Sequence, residues 1–187
     1  MSDQPNFDRA EVLHMKEVPF RRIEKTIAFL KRNVPPPAVI LDLGVKNLMS
    51  EQVRKAGYQV NNTRGEDLDT DYRHLNNESF DLVTAFEILE HLVAPYNLLS
   101  SFKSGQKLIA TVPLQVWFRK AHWNPNDPWD RHFHEFEPRQ FDWLLEKSGW
   151  QIIDSEQWKI PAGRINGIRP LLRFFVPTFY AVYAQKT

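Results

Sequence analysis

The chain has 187 residues, 42% of them hydrophobic and 25% charged, enough for one core that buries about 70% of the surface an unfolded chain of this size exposes. Lys+Arg 24 against Asp+Glu 23 leaves a formal net charge of +1, so no global field recruits nucleic acid, which is not an expected partner. The absence of cysteine excludes disulfides, zinc–thiolate centres and cysteine nucleophiles, and is compatible with a cytoplasmic location.

The amino-terminal stretch "MSDQPNFDRAEVLHMKEV" is charged and has no continuous apolar core, so it does not read as a signal peptide. From Phe20 to Leu30 the apolar residues Phe20, Ile23, Ile27 and Leu30 share one helical face, and Arg21, Arg22, Lys25, Lys31 and Arg32 read as its solvated side. Pro35, Pro36 and Pro37 end that helix. Val39 to Leu43 is a short apolar run of the kind a strand covered on both faces requires. Asn47 can cap a helix carrying Leu48, Met49, Val53 and Ala56 inward and stopping at Gly57, and Tyr58 to Val60 is the next strand.

"FDLVTAF", Phe80 to Phe86, is a second strong strand that leads through "EILEHLVAP" into a helix with Pro95 in its first turn and Leu98, Leu99 and Phe102 inward. Gly105 ends it before the strand "KLIATVPL". Between Gln115 and Phe136 periodicity is lost and Trp117, Trp123, Trp129, His122, His132 and His134 crowd together, which marks a functional insertion and not a disordered one. Pro138 opens a helix with Phe141, Leu144 and Leu145 inward, followed by the strand "WQIIDSEQW" and the closing strand "PTFYAVYAQKT". The tract "PLLRFFVPTFYAVYA" is broken by Arg173 and Pro177 and too short to span a bilayer, leaving weak peripheral membrane contact as the furthest expectation. The expected organisation is one domain over 1–187, with a helical segment at 1–36, a core at 37–187 and a lid-like insertion at 114–136.

Strands alternating with helices argue for an α/β layer fold, whose ligands sit beyond the carboxyl ends of the strands. At those ends the sequence resembles the class I S-adenosylmethionine-dependent methyltransferases of small-molecule type. The pieces that carry the resemblance are "VILDLG" at the first strand, "FDLVTAFEILEHL" at the fourth, "KLIATVP" at the fifth and "HFHEFEPRQFDWLLEKSGW" before the sixth. It implies a Rossmann-like, doubly wound, mostly parallel seven-stranded sheet with an antiparallel last strand, helices on both faces, S-adenosyl-L-methionine as cofactor and a small-molecule acceptor.

Carried over residue by residue, Asp42 and Gly44 match the first motif, where glycine lets the backbone approach the cofactor's amino-acid portion. Asp69 matches the acid that contacts the adenine amino group, and Phe86 and Glu87 line the adenine and methionine portions. His91 faces the methyl-transfer region as base or hydrogen-bond donor, beside Glu87. Each has a plainer reading: Asp42 capping amides, Asp69 in a solvated acidic loop, His91 filling a packed corner. His132 and His134 could ligate a metal if extended, together with Glu135, but the expectation is that they pack under the substrate entrance and that no metal is bound. Trp117, Trp123 and Trp129 either form an aromatic lid over the acceptor or seal the insertion against the core.

Two departures from the family's pattern matter. The first motif runs glycine, any residue, glycine; here Val45, Lys46 and Asn47 follow Gly44, and a lysine about 5 Å from a sulfonium costs a few kcal/mol at an effective dielectric of about 20 unless it turns away or pairs with the cofactor's carboxylate. The acid that closes the second strand and holds the ribose is absent: "YQVNNTRG" offers Asn62, Thr63 and Arg64, and Glu66 or Asp67 could replace it only if the loop folds back. Three functions compete: methyl transfer to a sugar, quinone or lipid-linked acceptor; a binding or regulatory module that has lost the cofactor; and, least favoured, a phosphate site at Lys46, the helix after Asn47 and Arg64. Oligomeric state is not encoded in any motif.

Overall fold

The computed structural model describes residues 20–160, 172 and 174–187. The amino-terminal stretch and, of the apolar tract, Pro170, Leu171 and Arg173 lie outside these residues. In chain order the elements are α1 (Phe20–Asn33), β1 (Val39–Asp42), α2 (Leu48–Lys55), β2 (Gln59–Asn62), a 3-10 turn (Arg73–Asn77), β3 (Leu82–Phe86), a second 3-10 turn (Leu89–His91), α3 (Pro95–Ser101), β4 (Lys107–Pro113), α4 (Pro138–Lys147), β5 (Trp150–Trp158) and β6 (Phe179–Lys186).

The strands form one sheet in the order β2-β1-β3-β4-β6-β5. β1 pairs in parallel with β2 and β3, and β3 with β4, while β6 runs antiparallel between β4 and β5. Alternate residues along each strand face opposite layers. Leu41, Val83, Ala85, Ala110 and Val182 pack against Leu98 and Leu99 of α3 and Phe141 and Leu145 of α4. Ile40, Leu82, Ile109 and Ala181 pack on the other face against Ile23, Phe29 and Leu30 of α1 and Met49 and Val53 of α2. Helices cover both faces, which is why β3 and β4 are continuously buried runs.

The family pattern implies seven strands; the sheet has six among the described residues. The stretch "TRGEDLDTDYRHLNNESF" after β2 is acidic and buries only Leu68 and Leu75 of its hydrophobic residues, so it has no alternating apolar face for a further edge strand and folds as turns instead. β2 is therefore the edge.

α1 also differs from its sequence reading. Its buried residues are Ile23, Thr26, Phe29 and Leu30, while Phe20 is exposed. The stripe is rotated because Phe29 packs edge-on against Trp158 of β5, with ring centroids 6.1 Å apart. Nor are all its cations solvated. Arg32 donates to Asp154 Oδ2 through Nε (3.1 Å) and Nη2 (2.8 Å) and to Glu156 Oε2 through Nη1 (3.0 Å), pinning the helix to β5. Arg22 reaches the carboxyl ends of the strands.

Candidate active site

Strand order reverses between β1 and β3, whose ends lie side by side with Asp42 opposite Thr84. This is the switch point where open α/β sheets bind ligands. Asp42 is buried; its Oδ1 accepts from Thr84 Oγ1 (2.6 Å) and its Oδ2 from Asn62 Nδ2 (2.9 Å). Asn62 is fixed in turn by Arg54, whose Nη2 donates to Asn62 Oδ1 at 2.6 Å. Burial pushes the Asp42 carboxyl up to about 7, against the opposing pull of Thr84, Asn62 and Arg54. A carboxylate at position 62 could not donate to Asp42, so the amide suits this chain's own network.

Gly44 has φ +130, and a Cβ there would stand 3.0 Å from Ile88 Cδ1, so both conformation and space demand glycine. Its N–H donates to Thr63 Oγ1 at 2.7 Å. Lys46 Nζ lies 3.0 Å from Glu51 Oε1, and Arg54 Nη1 lies 2.8 Å from the same oxygen. Burial alone would raise the Glu51 carboxyl; Lys46 and Arg54 hold it below the usual range. The Lys46 ammonium is thus turned toward Glu51 at the start of α2, an acid that it shares with Arg54. Asn47 caps α2 by a reciprocal box with Ser50.

The loop after β2 folds back over this turn. A Cβ on Gly65 would lie 3.3 Å from Val45 Cγ1, and Glu66 stands beside His74 Nε2 at 3.1 Å with Arg64 N–H on its other oxygen. Asp69 accepts from the backbone N–H of Val93 (2.9 Å) and Ala94 (2.8 Å), tying the acidic loop to the segment that enters α3. Phe86 ends β3 half-buried against the α1/α2 layer.

Beyond Phe86, Glu87 adopts φ 58. Its Oε1 accepts from Thr111 Oγ1 (3.0 Å) and its Oε2 pairs with Arg22 Nη1 (2.9 Å), both charged side chains being only 15% and 16% exposed. Glu90 is 1% exposed and neither carboxyl oxygen has a hydrogen-bond partner among the described residues. Burial, and next the Glu87 charge, push its carboxyl well above the usual range. His91 Nδ1 lies 3.1 Å from the carbonyl of Arg131, so it carries the proton and Nε2 keeps the lone pair. Burial, then the neighbouring His132, lowers the His91 pKa.

The insertion is held by its own bonds. Arg131 Nε donates to Asn124 O (3.0 Å), Asn124 Nδ2 to Asp130 Oδ2 (3.0 Å), and His132 N to His122 O (3.0 Å). Phe133 N and His134 N both donate to Glu90 O, at 2.8 and 3.1 Å, docking the insertion onto the turn after β3. His132 Nδ1 lies 2.9 Å from Glu135 Oε1, and His134 Nε2 3.3 Å from Val93 O. Trp117, Trp129 and Trp123 are 81%, 70% and 60% exposed, so they do not seal the insertion against the core.

The structure therefore gathers Asp42, Gly44 and Lys46 in one turn, and Phe86, Glu87 and His91 with His132 in another. Sequence reasoning missed Arg22, which it read as part of the solvated side of α1, and Glu90, which stands inside the quoted "EILEHL".

The fold, with β6 antiparallel between β4 and β5 and a glycine turn at the switch point, has the architecture of the S-adenosylmethionine-dependent methyltransferases. A family described as a methyltransferase domain matches residues 14–155, and the chain belongs to that family. Membership supports S-adenosylmethionine as cofactor. Similar solved structures include a methyltransferase dependent on this cofactor from Archaeoglobus fulgidus (TM-score 0.61, 18% identity, 96% of this chain and 100% of that chain covered). Another is the 1,6-didemethyltoxoflavin-N1-methyltransferase of Burkholderia thailandensis, solved with 1,6-didemethyltoxoflavin and S-adenosylhomocysteine bound (0.56, 16%, 100% and 93%). A third comes from Methanosarcina mazei (0.59, 14%, 84% and 96%). At these identities the likeness is one of fold. No curated protein sequence matches the chain.

Proposed function

We propose that this chain works as a single methyltransferase-like domain that methylates a small-molecule acceptor, with the 114–136 insertion as its lid. The observation that supports the reading is the contact of the two turns: Ile88, between Glu87 and Leu89, lies against Gly44, which brings the glycine turn beside the turn that carries Glu87 and His91. Bound there, S-adenosylmethionine supplies a sulfonium methyl group electrophilic enough that alignment does much of the work. Asp42 and the Gly44 backbone would hold its amino-acid portion, Glu66 would serve the ribose, and Phe86 would line the adenine, with Asp69 fixing the loop beside it. His91, with its Nε2 lone pair, and Glu87 would face the acceptor, and the exposed tryptophans would take an apolar ring or a sugar face. A sugar, quinone or lipid-linked acceptor remains the expected class.

The test is transfer of isotopically labelled methyl groups to the small-molecule fraction of a cell extract. Label in an extractable product, lost in His91→Ala, is the expected result. Label only in nucleic acid or protein would overturn the acceptor class, and none in any fraction would favour the alternative of a binding or regulatory module.

A further inference from the structure

The turn after β3 and the end of the insertion meet at three side chains of metal-ligating type. One ligand atom from each of Glu90, His91 and His132 lies within 4.8 Å of the others. We propose that these three residues bind a divalent first-row transition cation, with Glu135 as outer support for His132. Neighbouring histidines alone would carry little. What singles this cluster out is Glu90, whose two oxygens are buried without partners among the described residues although buried polar groups are nearly always satisfied.

The histidines are already set for ligation. His91 Nδ1–H is held by the Arg131 carbonyl and His132 Nδ1–H by Glu135, which leaves the lone pair on Nε2 in both rings. An outer carboxylate or carbonyl on the far nitrogen is the usual device that fixes the tautomer of a metal-bound imidazole. Two histidines and one carboxylate are the donor set of open zinc and non-haem iron sites, which keep a position for substrate. The frame is firm, because Phe133 N and His134 N donate to the Glu90 carbonyl and so join the ligand-bearing segments. Ligands about 2.1 Å from a tetrahedral cation stand about 3.4 Å apart, so closure requires movements of roughly 1 Å.

The sequence reading expected no metal, and the pair it weighed for one, His132 with His134, is not the pair that the fold brings together: His134 turns to the Val93 carbonyl. Catalytic use of the cation rests on the methyl-transfer reading: an acceptor hydroxyl oxygen in the open position would lose its proton to solvent water more readily, and His91 would then be a ligand and not the base. Binding of the cation does not rest on that reading.

The test uses the full chain, stripped with chelator, and titrates Co2+ by its visible ligand-field bands and Zn2+ by competition with a chromophoric chelator, without S-adenosylmethionine. One cation per chain is expected. Binding should be lost in Glu90→Gln and in His132→Asn, weakened about 10–100-fold in Glu135→Gln, and retained in His134→Ala, each checked for fold by circular dichroism. No stoichiometric binding to the wild type, or equal binding by folded Glu90→Gln and His132→Asn, would overturn the site. If the cation binds while S-adenosylmethionine does not, the metal site stands and the methyl-transfer reading falls.

Discussion

Asp42 links fold and site through a single carboxyl group. An acid whose folded pKa lies above its value in the unfolded chain favours the folded state while protonated. For Asp42 that contribution is present below about 3.8 and is lost as pH rises through about 7. The urea midpoint of the wild type, measured relative to Asp42→Asn, should therefore fall between about pH 4 and about pH 7. Glu90 shifts the same way in both proteins and cancels; a difference that stays flat with pH contradicts the assignment. Arg22 is the second residue with a sharp expectation. Arg22→Met leaves Glu87 without its cation in a largely buried pair, so unfolding free energy should drop by about 1–3 kcal/mol, whereas Arg21→Met on the exposed side should change it by less than about 0.5 kcal/mol.

These two residues mark what a sequence does and does not reveal. Asp42 was singled out because it stands two residues before Gly44 in a stretch that resembles the family's first motif, and the fold sets it opposite Thr84 at the switch point. Arg22 was not, because helical spacing of apolar residues placed the inward stripe on Phe20, Ile23, Ile27 and Leu30, whereas the packing partner Trp158 draws Phe29 inward and carries Thr26 and Arg22 with it. Glu90 was hidden for a different reason: nothing in one dimension says that an acid after two apolar residues lies in the core. Its meaning comes from His132, more than forty positions away, which only the fold brings near.

At the scale of elements, local chemistry and tertiary role agree in α2. The Asn47 and Ser50 box closes its amino terminus directly after the glycine turn at the end of β1. Asn47→Ala should cost about 1 kcal/mol in a denaturant titration and leave the sheet intact. The insertion behaves oppositely. Its tryptophans point outward, so Trp117→Ala and Trp129→Ala should alter stability by less than about 0.5 kcal/mol. Both should raise KM for the acceptor severalfold with kcat nearly unchanged, because a recognition surface contributes to binding before chemistry; an unchanged KM would remove the lid role. Strands, capped helices and their order were readable because period and caps are local signals. The missing edge strand was not, since the count came from the family's pattern, while the acidic run from Glu66 to Asp71 lacks the alternation that a strand needs.

The whole molecule is organised around one meeting point, where the sheet reverses order and three segments distant in sequence converge. α1 sends Arg22 there, the glycine turn brings Asp42 and Gly44, and the insertion docks its histidines on the Glu90 backbone. Lys46, the residue that most sets this first motif apart, pairs with Glu51 of α2, which also holds Arg54. This altered turn is therefore expected to hold S-adenosylmethionine. Isothermal titration of the full chain with S-adenosylmethionine and S-adenosylhomocysteine tests it most directly. One site per chain with micromolar affinity is expected, lost in a folded Gly44→Val variant and kept in Lys46→Ala. Absence of heat at millimolar ligand, or equal binding by folded Gly44→Val, would contradict it.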